Sequence, residues 1–413
     1  MSERVKIGLV GIAGFGEWYI RSLLTDPKAP QLDWMAAADP APERCRQLAQ
    51  IKEIGVPIYP SLAELLRQQR PELLVLCTPI HLHAEQTAMA TQAGVAVLCE
   101  KPLAGGLDDA LRIIRAQEES RRRVSIGYQW SFRRAIQRLK GDILAGRFGF
   151  PKRLKTFVSY PRPYVYFARN SWVGRINTPD GRPVLDSPVN NATAHFLHNM
   201  LYLLGPTWNT SLAPAAVQAE LYRANDIENY DNAALRCQMP GGTEVLFFTA
   251  HSIPERRGPQ CHFEFELATI TFDPSQRNAQ FVAQFSDGGT SVYGSPDDDR
   301  TEKIWQCAAA VRSGSESACP AHAALPHTLT VIAAQESMPE MIDLPASARR
   351  ESKLEPGPMR SIDGLSEAFS RAFEKGVLPA ELGDIPWAGA GRVVPVEVPE
   401  VLRASQNENP EVV

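Results

Sequence analysis

The stretch VKIGLVGIAGFGEWYIRSLL, Val5 to Leu24, decides the fold of the first part of this 413-residue chain. Six residues of near-continuous apolar, β-type composition run into the turn GIAGFG, Gly11 to Gly16, and a helical pattern begins directly behind it. An apolar run without alternation marks a strand covered on both faces, as in a parallel sheet. A glycine-rich turn between such a strand and a helix gathers free N–H groups and the positive end of the helix dipole at one point, where a dinucleotide pyrophosphate can bind. Gly11 permits the tight turn and Gly16 the close packing of helix on strand. Ala13 stands where the GxGxxG pattern has its second glycine, with Gly14 and Phe15 completing the turn.

Outward from this turn, β-type runs alternate with helical patterns to about residue 127, the rhythm of βαβ units. Strands are expected at Val5 to Val10, Leu32 to Ala38, Leu73 to Cys77, Val95 to Cys99 and Val124 to Tyr128. Helices are expected at Glu17 to Leu24, Glu43 to Ile51, Leu62 to Gln69, His83 to Ala93 and Leu107 to Ser120. Asp39 ends the second strand 23 residues after Gly16, close to the spacing at which an acid binds the adenosine ribose. A carboxylate there repels a 2′-phosphate, so the expected cofactor is NAD rather than NADP.

Past Gly127 the pattern changes. A helix at Arg134 to Ala145 precedes alternating β-type runs at 153–160, 215–223, 231–239, 243–251, 261–272 and 279–285, with MPGGTE at 239–244 as a hairpin turn. Helices interrupt near Ala192 to Leu204 and return at Glu302 to Arg312, Thr328 to Ser337 and Asp363 to Lys375. The fold class is therefore α/β: an N-terminal doubly wound Rossmann domain over 1–130, then an α+β domain over 131–345 with a large, mainly antiparallel sheet. Residues 346–400 form a C-terminal extension with one helix, and 401–413, poor in apolar residues, form a disordered tail.

Composition narrows the function. A formal net charge of -4 carries no footprint for nucleic acid or an anionic membrane. No run reaches the length of a membrane span, and the apolar strand starts too early to leave room for a signal peptide. Seven scattered cysteines without a CxxC pair read as buried thiols in a reducing compartment. The expected setting is cytoplasmic and the expected partner a small molecule.

The third signal is TPIHLHAEQTAMATQAGVAVLCEKPLA, Thr78 to Ala104. With TPxxxH at Thr78, Pro79 and His83, and EKP at Glu100, Lys101 and Pro102, the chain resembles the Gfo/Idh/MocA family of sugar and polyol oxidoreductases. That resemblance implies that Thr78 and Pro79 line the nicotinamide side of the cofactor groove, with His83 and Glu100 in the same cofactor-binding stretches, and that Lys101 lies near the reacting carbon. A lysine ammonium can orient a substrate hydroxyl and polarise the carbonyl that forms. The proline after it can hold a cis peptide that aims the side chain.

A fourth signal lies in VLDSPVNNATAHFLHNMLYLLG, Val184 to Gly205. The family commonly carries an Asp, a His four residues on and an Asp three beyond that; counted back from Gly205, these positions are Asn191, His195 and His198. Their spacing expects one helical face. His195 can take a hydroxyl proton near neutral pH, while Asn191 can hold a hydroxyl but cannot act as a base, which leaves His195 or Lys101 as proton acceptor. Asp186 is close enough in sequence to compensate. His195 and His198 form an HxxH pair, but no further ligand stands at helical spacing and no metal is expected.

At the domain junction, GYQWSF (Gly127 to Phe132) places Trp130 where an aromatic could face a sugar ring. Tyr160 to Tyr166, three tyrosines among prolines, reads as a substrate-side loop or a packed one. The expected reaction is hydride transfer between NAD and a secondary alcohol of a sugar, polyol or glycoside in the cleft between domains. Two alternatives remain: an NAD-dependent glycoside hydrolase working by transient oxidation and elimination, and a non-catalytic NAD- or sugar-binding regulator. By analogy with sheets that leave one face without helices, a homo-oligomer, dimer or tetramer, is expected.

Overall fold

The computed structural model describes residues 4–297 and 301–406. The chain divides into two compact units, one holding the residues up to Phe132 together with a returning segment that ends at Ala324, the other running from Arg133 through residue 297 and again from Leu325.

In the first unit the strands are β1 (Val5–Val10), β2 (Leu32–Ala38), β3 (Ile58–Tyr59), β4 (Leu73–Leu76), β5 (Ala96–Cys99) and β6 (Val124–Ile126). They form one parallel sheet in the order β3-β2-β1-β4-β5-β6. The helices are α1 (Gly16–Thr25), α2 (Leu48–Glu53), α3 (Leu62–Gln68), α4 (His83–Gln92) and α5 (Leu107–Ser120). β4 and β5 are buried at every residue, as a strand covered on both faces must be. The expected helix from Glu43 is instead a 3₁₀ turn at Pro42–Arg44 followed by α2. The Arg46 N–H donates to the Glu17 carboxylate at 3.0 Å, which takes that residue out of a helical ladder.

In the second unit α6 (Arg134–Leu144) is followed by β7 (Pro151–Ser159), the short α7 (Tyr164–Phe167), α8 (Ala194–Leu203) and seven further strands. These are β8 (Ala216–Arg223), β9 (Asn232–Gln238), β10 (Glu244–Ala250), β11 (Arg257–Phe265), β12 (Ala268–Phe272), β13 (Phe281–Phe285) and β14 (Thr290–Gly294). Later come α9 (Glu302–Ser313), which belongs to the first unit, α10 (Ala321–Ser337) and β15 (Ile342–Asp343). β16 (Arg349–Ser352) and β17 (Met359–Ile362) form a separate hairpin, followed by α11 (Leu365–Lys375), β18 (Val394–Pro395) and α12 (Glu400–Gln406). The large sheet runs β14-β13-β12-β11-β7-β10-β9-β8-β15, with β18 also on β8. Its pairings are antiparallel except β7 with β10 and β8 with β15.

The run 261–272, expected as one strand, is two strands broken at Glu266 and Leu267, and β14 lies beyond the last expected strand. The expected extension at 346–400 is part of the second unit rather than an appendage. Phe369 and Phe373 of α11 pack on Phe157, Tyr222 and Phe248, which point from one face of the sheet. At the start of the expected tail, α12 continues to Gln406, and 407–413 lie outside the described residues. All seven cysteines are free thiols, and all but Cys77 are buried. Among the described residues no helix is long and apolar enough to cross a membrane.

Candidate functional site

The strand order of the first unit places a topological switch point between β1 and β4, since the chain winds to one side through β2 and β3 and to the other through β5 and β6. Ligands of open parallel sheets bind outside the carboxyl ends of the strands at such a point. The expected residues leave from those ends: Gly11 to Gly16 after β1, Asp39 after β2, Thr78 and Pro79 after β4, Glu100 and Lys101 after β5.

Gly11 has φ +82°, and a Cβ there would lie 2.9 Å from the Cys77 backbone. At Gly16 a Cβ would stand 2.0 Å from the Gly11 carbonyl oxygen. Both positions therefore admit only glycine, Gly11 for backbone approach as much as for conformation and Gly16 for backbone approach alone. The Asp39 carboxylate binds the two turns together: Oδ2 accepts the Ile12 N–H at 2.9 Å and Oδ1 the Ala41 N–H at 2.8 Å. Beside it, the Arg46 guanidinium pairs with buried Glu17 and holds that carboxyl below the usual range.

His83 is buried, with Nδ1 2.9 Å from the Pro102 carbonyl and Nε2 3.0 Å from the Thr78 carbonyl. It thus ties the Thr78 turn to the Lys101 turn. Burial pulls its pKa down more strongly than the two carbonyls raise it, so the ring is neutral and only one nitrogen donates at a time. The Thr78 hydroxyl donates to Gln86 at 2.6 Å. The Lys101–Pro102 peptide is cis.

Glu100 is buried and receives the Tyr19 hydroxyl at 2.6 Å and the ammonium of Lys303 on α9. Lys303 itself is almost fully buried. Pattern reading missed it, because a lysine 203 residues away carries no local signal; the sign of its charge, needed opposite a buried carboxylate, is the only hint.

In the second unit Asn191 does not share a helical face with His195. It lies in a single π turn, Pro188–Ala192, capped by the Ser187 hydroxyl, which accepts the Asn190 N–H. Thr193 then breaks the helical path, because its hydroxyl bonds to the Pro188 carbonyl at 2.7 Å and lies 2.9 Å from the Thr249 hydroxyl, and α8 starts only at Ala194. The break turns the Asn191 amide onto Asp186 Oδ1 at 2.7 Å, while Asp186 Oδ2 accepts the Gly174 N–H at 2.7 Å. Asp186, named only as a near neighbour in sequence, is the partner of Asn191.

His195 opens α8 and is buried. His198 points into the unit: it is fully buried, stacked on Tyr202 and edge-on to His327, and burial, His327 and Lys140 hold its pKa well below 6.5. Lys140, also buried, donates to the Tyr202 and Thr210 carbonyls. Trp130 is 1% exposed in the 3₁₀ turn Gln129–Phe132. Trp130 and His198, both expected on the substrate side, are buried.

Residues 5–128 match the family model described as oxidoreductase family, NAD-binding Rossmann fold. Inositol 2-dehydrogenase 3 of Saccharopolyspora erythraea is 28% identical over 148 residues, 36% of this chain and 43% of that protein. An inositol 2-dehydrogenase of Streptomyces avermitilis is 30% identical over 155 residues, 37% and 44%. The match therefore spans less than half the length of these relatives. Among solved structures, the WlbA dehydrogenase from Bordetella pertussis in complex with NADH and UDP-GlcNAcA superposes with a TM-score of 0.66 at 20% identity, covering 81% of this chain and 97% of that one.

Proposed function

We propose that the chain, whose residues 5–128 match the oxidoreductase-family model with NAD-binding Rossmann fold of Gfo/Idh/MocA proteins, transfers hydride between NAD and a secondary alcohol of a sugar, polyol or glycoside. The observation that carries this reading is the convergence of the glycine turn, Asp39, Thr78 and Lys101 at the carboxyl ends of parallel strands. Relatives named inositol 2-dehydrogenases and a neighbour crystallised with NADH and a sugar nucleotide support the substrate class.

A dinucleotide fits the residues present. The only space at Gly11 is for a backbone without a side chain, and Asp39, with one backbone donor on each oxygen, has further lone pairs for ribose hydroxyls. Gly11 to Gly16, Asp39, Thr78 and Pro79 hold it, and when bound it supplies the hydride acceptor. Arg46 is engaged by Glu17, which leaves the carboxylate of Asp39 to disfavour a 2′-phosphate. Lys101 orients the substrate oxygen and stabilises the charge that develops on it. His195 takes the hydroxyl proton. Asn191, held by Asp186, positions a second hydroxyl.

A homo-oligomer built on the large sheet uses its β11 to β14 end, because α11 covers the strands around β7, β10 and β8.

The test is to follow NADH formation over a panel of sugars, inositols and glycosides. Lys101→Ala and His195→Ala are expected to lower turnover while leaving NAD affinity nearly intact; unchanged turnover in both sinks the assigned roles. Release of free sugar from a glycoside without net NADH would replace this reading by the hydrolase.

A further inference from the structure

The segment YPRPYVYFARNSW, Tyr160 to Trp172, leaves the end of β7 and interleaves aromatic rings with arginines. In the second unit these side chains form a ladder. The Arg256 guanidinium sits 4.1 Å from the centre of the Tyr160 ring, and Arg162 lies 6.0 Å from the same ring. Arg162 is also 4.5 Å from the Tyr166 ring, which Arg169 approaches to 4.1 Å. The order is Arg169, Tyr166, Arg162, Tyr160, Arg256, each contact within the range at which a ring face attracts a cation.

Three like charges on two neighbouring rings repel one another. Elsewhere in the unit Arg182 pairs with Asp180 and Arg360 with Asp226, while Arg257 is held by the neutral Ser370 and Gln260 side chains. Among the described residues none of the three ladder arginines forms an ion pair, and the Arg162 Nε is buried without a hydrogen-bond partner. Burial, with Arg169 and Arg256, weakens Arg162's hold on its proton. His251, whose Nδ1 lies 2.8 Å from the Tyr160 carbonyl, adds no charge, since burial and Arg162 push its pKa down to about 3. The carboxylates that face the ladder are Asp297, toward Tyr160, and Asp186, toward Tyr166. Asp186 is already bonded to Gly174 and Asn191.

The ladder adjoins the residues assigned to substrate. Tyr166 feels the Asp186 charge, Asp186 holds Asn191, and Tyr160 packs edge-on at 5.9 Å against Phe196, the neighbour of His195 on α8. We propose that Arg162, Arg169 and Arg256 bind an anionic substituent of the substrate, so that the substrate is a sugar or polyol bearing a carboxylate or a phosphate. The inference rests on the oxidoreductase reading above. A guanidinium offers two parallel N–H donors that match either anion, and the tyrosine faces between them suit the C–H face of a ring. A neutral polyol would leave the clustered charge uncompensated.

The experiment measures equilibrium binding of D-glucuronate, D-glucose 6-phosphate, D-glucose and myo-inositol to the full-length protein with NAD present, at constant ionic strength, with NADH formation followed in parallel. At least one of the two anions is expected to bind about tenfold or more tighter than D-glucose, a difference of about 1.4 kcal/mol, and which one it is distinguishes carboxylate from phosphate. In Arg169→Gln/Arg256→Gln, two exposed positions whose loss leaves the fold intact, the preference is expected to vanish with Tm unchanged. Arg162→Lys, which keeps charge but not the fork, is expected to weaken it in part. Equal or tighter binding of the neutral probes, no binding of either anion, or a preference that survives in the double variant each overturns the proposal. Arginine-dependent anion binding without NADH from any probe would instead leave the anion site standing and remove the oxidoreductase reading. Turnover of neutral polyols alone would do the reverse.

Discussion

The first unit answers the buried or half-buried carboxylates around its glycine turn from within the unit: Glu17 by Arg46, Asp39 by two backbone N–H groups, Glu100 by Lys303 and Tyr19. The second unit gathers three guanidiniums around two phenols, and among the described residues none of the three forms an ion pair, although Asp297 and Asp186 face the phenols. The difference separates charges used to shape loops from charges left for a ligand. An ion removed from the first set should damage the fold or the loop it holds, and one removed from the second should damage recognition alone.

The largest effect lies at the end of β5. Lys101→Ala is expected to lower turnover about 10²- to 10⁴-fold with the NAD dissociation constant nearly unchanged, measured by steady-state kinetics and NADH fluorescence. An equal loss of NAD affinity would move Lys101 into the loop-shaping set.

Next, Lys303→Met leaves the Glu100 carboxylate buried without its cation and should cost about 3–5 kcal/mol of unfolding free energy, read by urea denaturation. The double variant Glu100→Gln/Lys303→Met should recover much of that. A small cost for the single change would show that the pair does not hold the turn.

A third prediction tests the second unit's own buried acid. Glu220 on β8 is answered by neutral donors, the Tyr222 hydroxyl and the Ala380 N–H, and burial pushes its pKa up from 4.5 to about 7. Tyr222, Ala380 and Arg236 lower it, and Glu381 raises it. The folded state therefore holds the proton more tightly than the unfolded chain. That stabilisation is complete below pH 4.5 and is lost as pH rises through about 7. Unfolding free energy should fall by on the order of 1–3 kcal/mol across this window, and Glu220→Gln should flatten the fall.

Smaller still, Asp39→Asn should weaken NAD about tenfold, roughly 1.4 kcal/mol, and narrow the preference over NADP, measured by cofactor titration. At the low end, Arg169→Gln/Arg256→Gln should leave stability within about 0.5 kcal/mol of the parent, because both positions are exposed and the loss of their ring contacts is offset by relief of like-charge repulsion. A marked loss would erase the contrast between the units.

Legibility in the sequence follows the range of the interaction. β1, β2 and α5 begin and end where periodicity put them, because burial on both faces and capping act within a few residues. The break at Glu266 and Leu267 was invisible, since no glycine, proline or asparagine marks it. α10 begins seven residues before the expected Thr328 and contains Pro326, where burial of nearly every neighbouring side chain outweighs the missing N–H donor. The geometry of Asn191 was misread for a similar reason: the Thr193 hydroxyl contacts that end the π turn include one to β10, which spacing along one segment cannot show.

By itself the sequence determined the alternation of strands and helices, the glycine turn, Asp39 after β2 and the EKP stretch after β5, all features whose physics is local or nearly so. Only the tertiary structure decided which lysine neutralises Glu100, that His83 bridges two loops instead of facing solvent, that His198 is core, and that Arg256 joins Arg162 and Arg169 on the tyrosine ladder. Those partners lie far apart along the chain, and a residue's type and spacing say what charge or ring it offers, while the topology of the sheet and its loops alone sets what it meets.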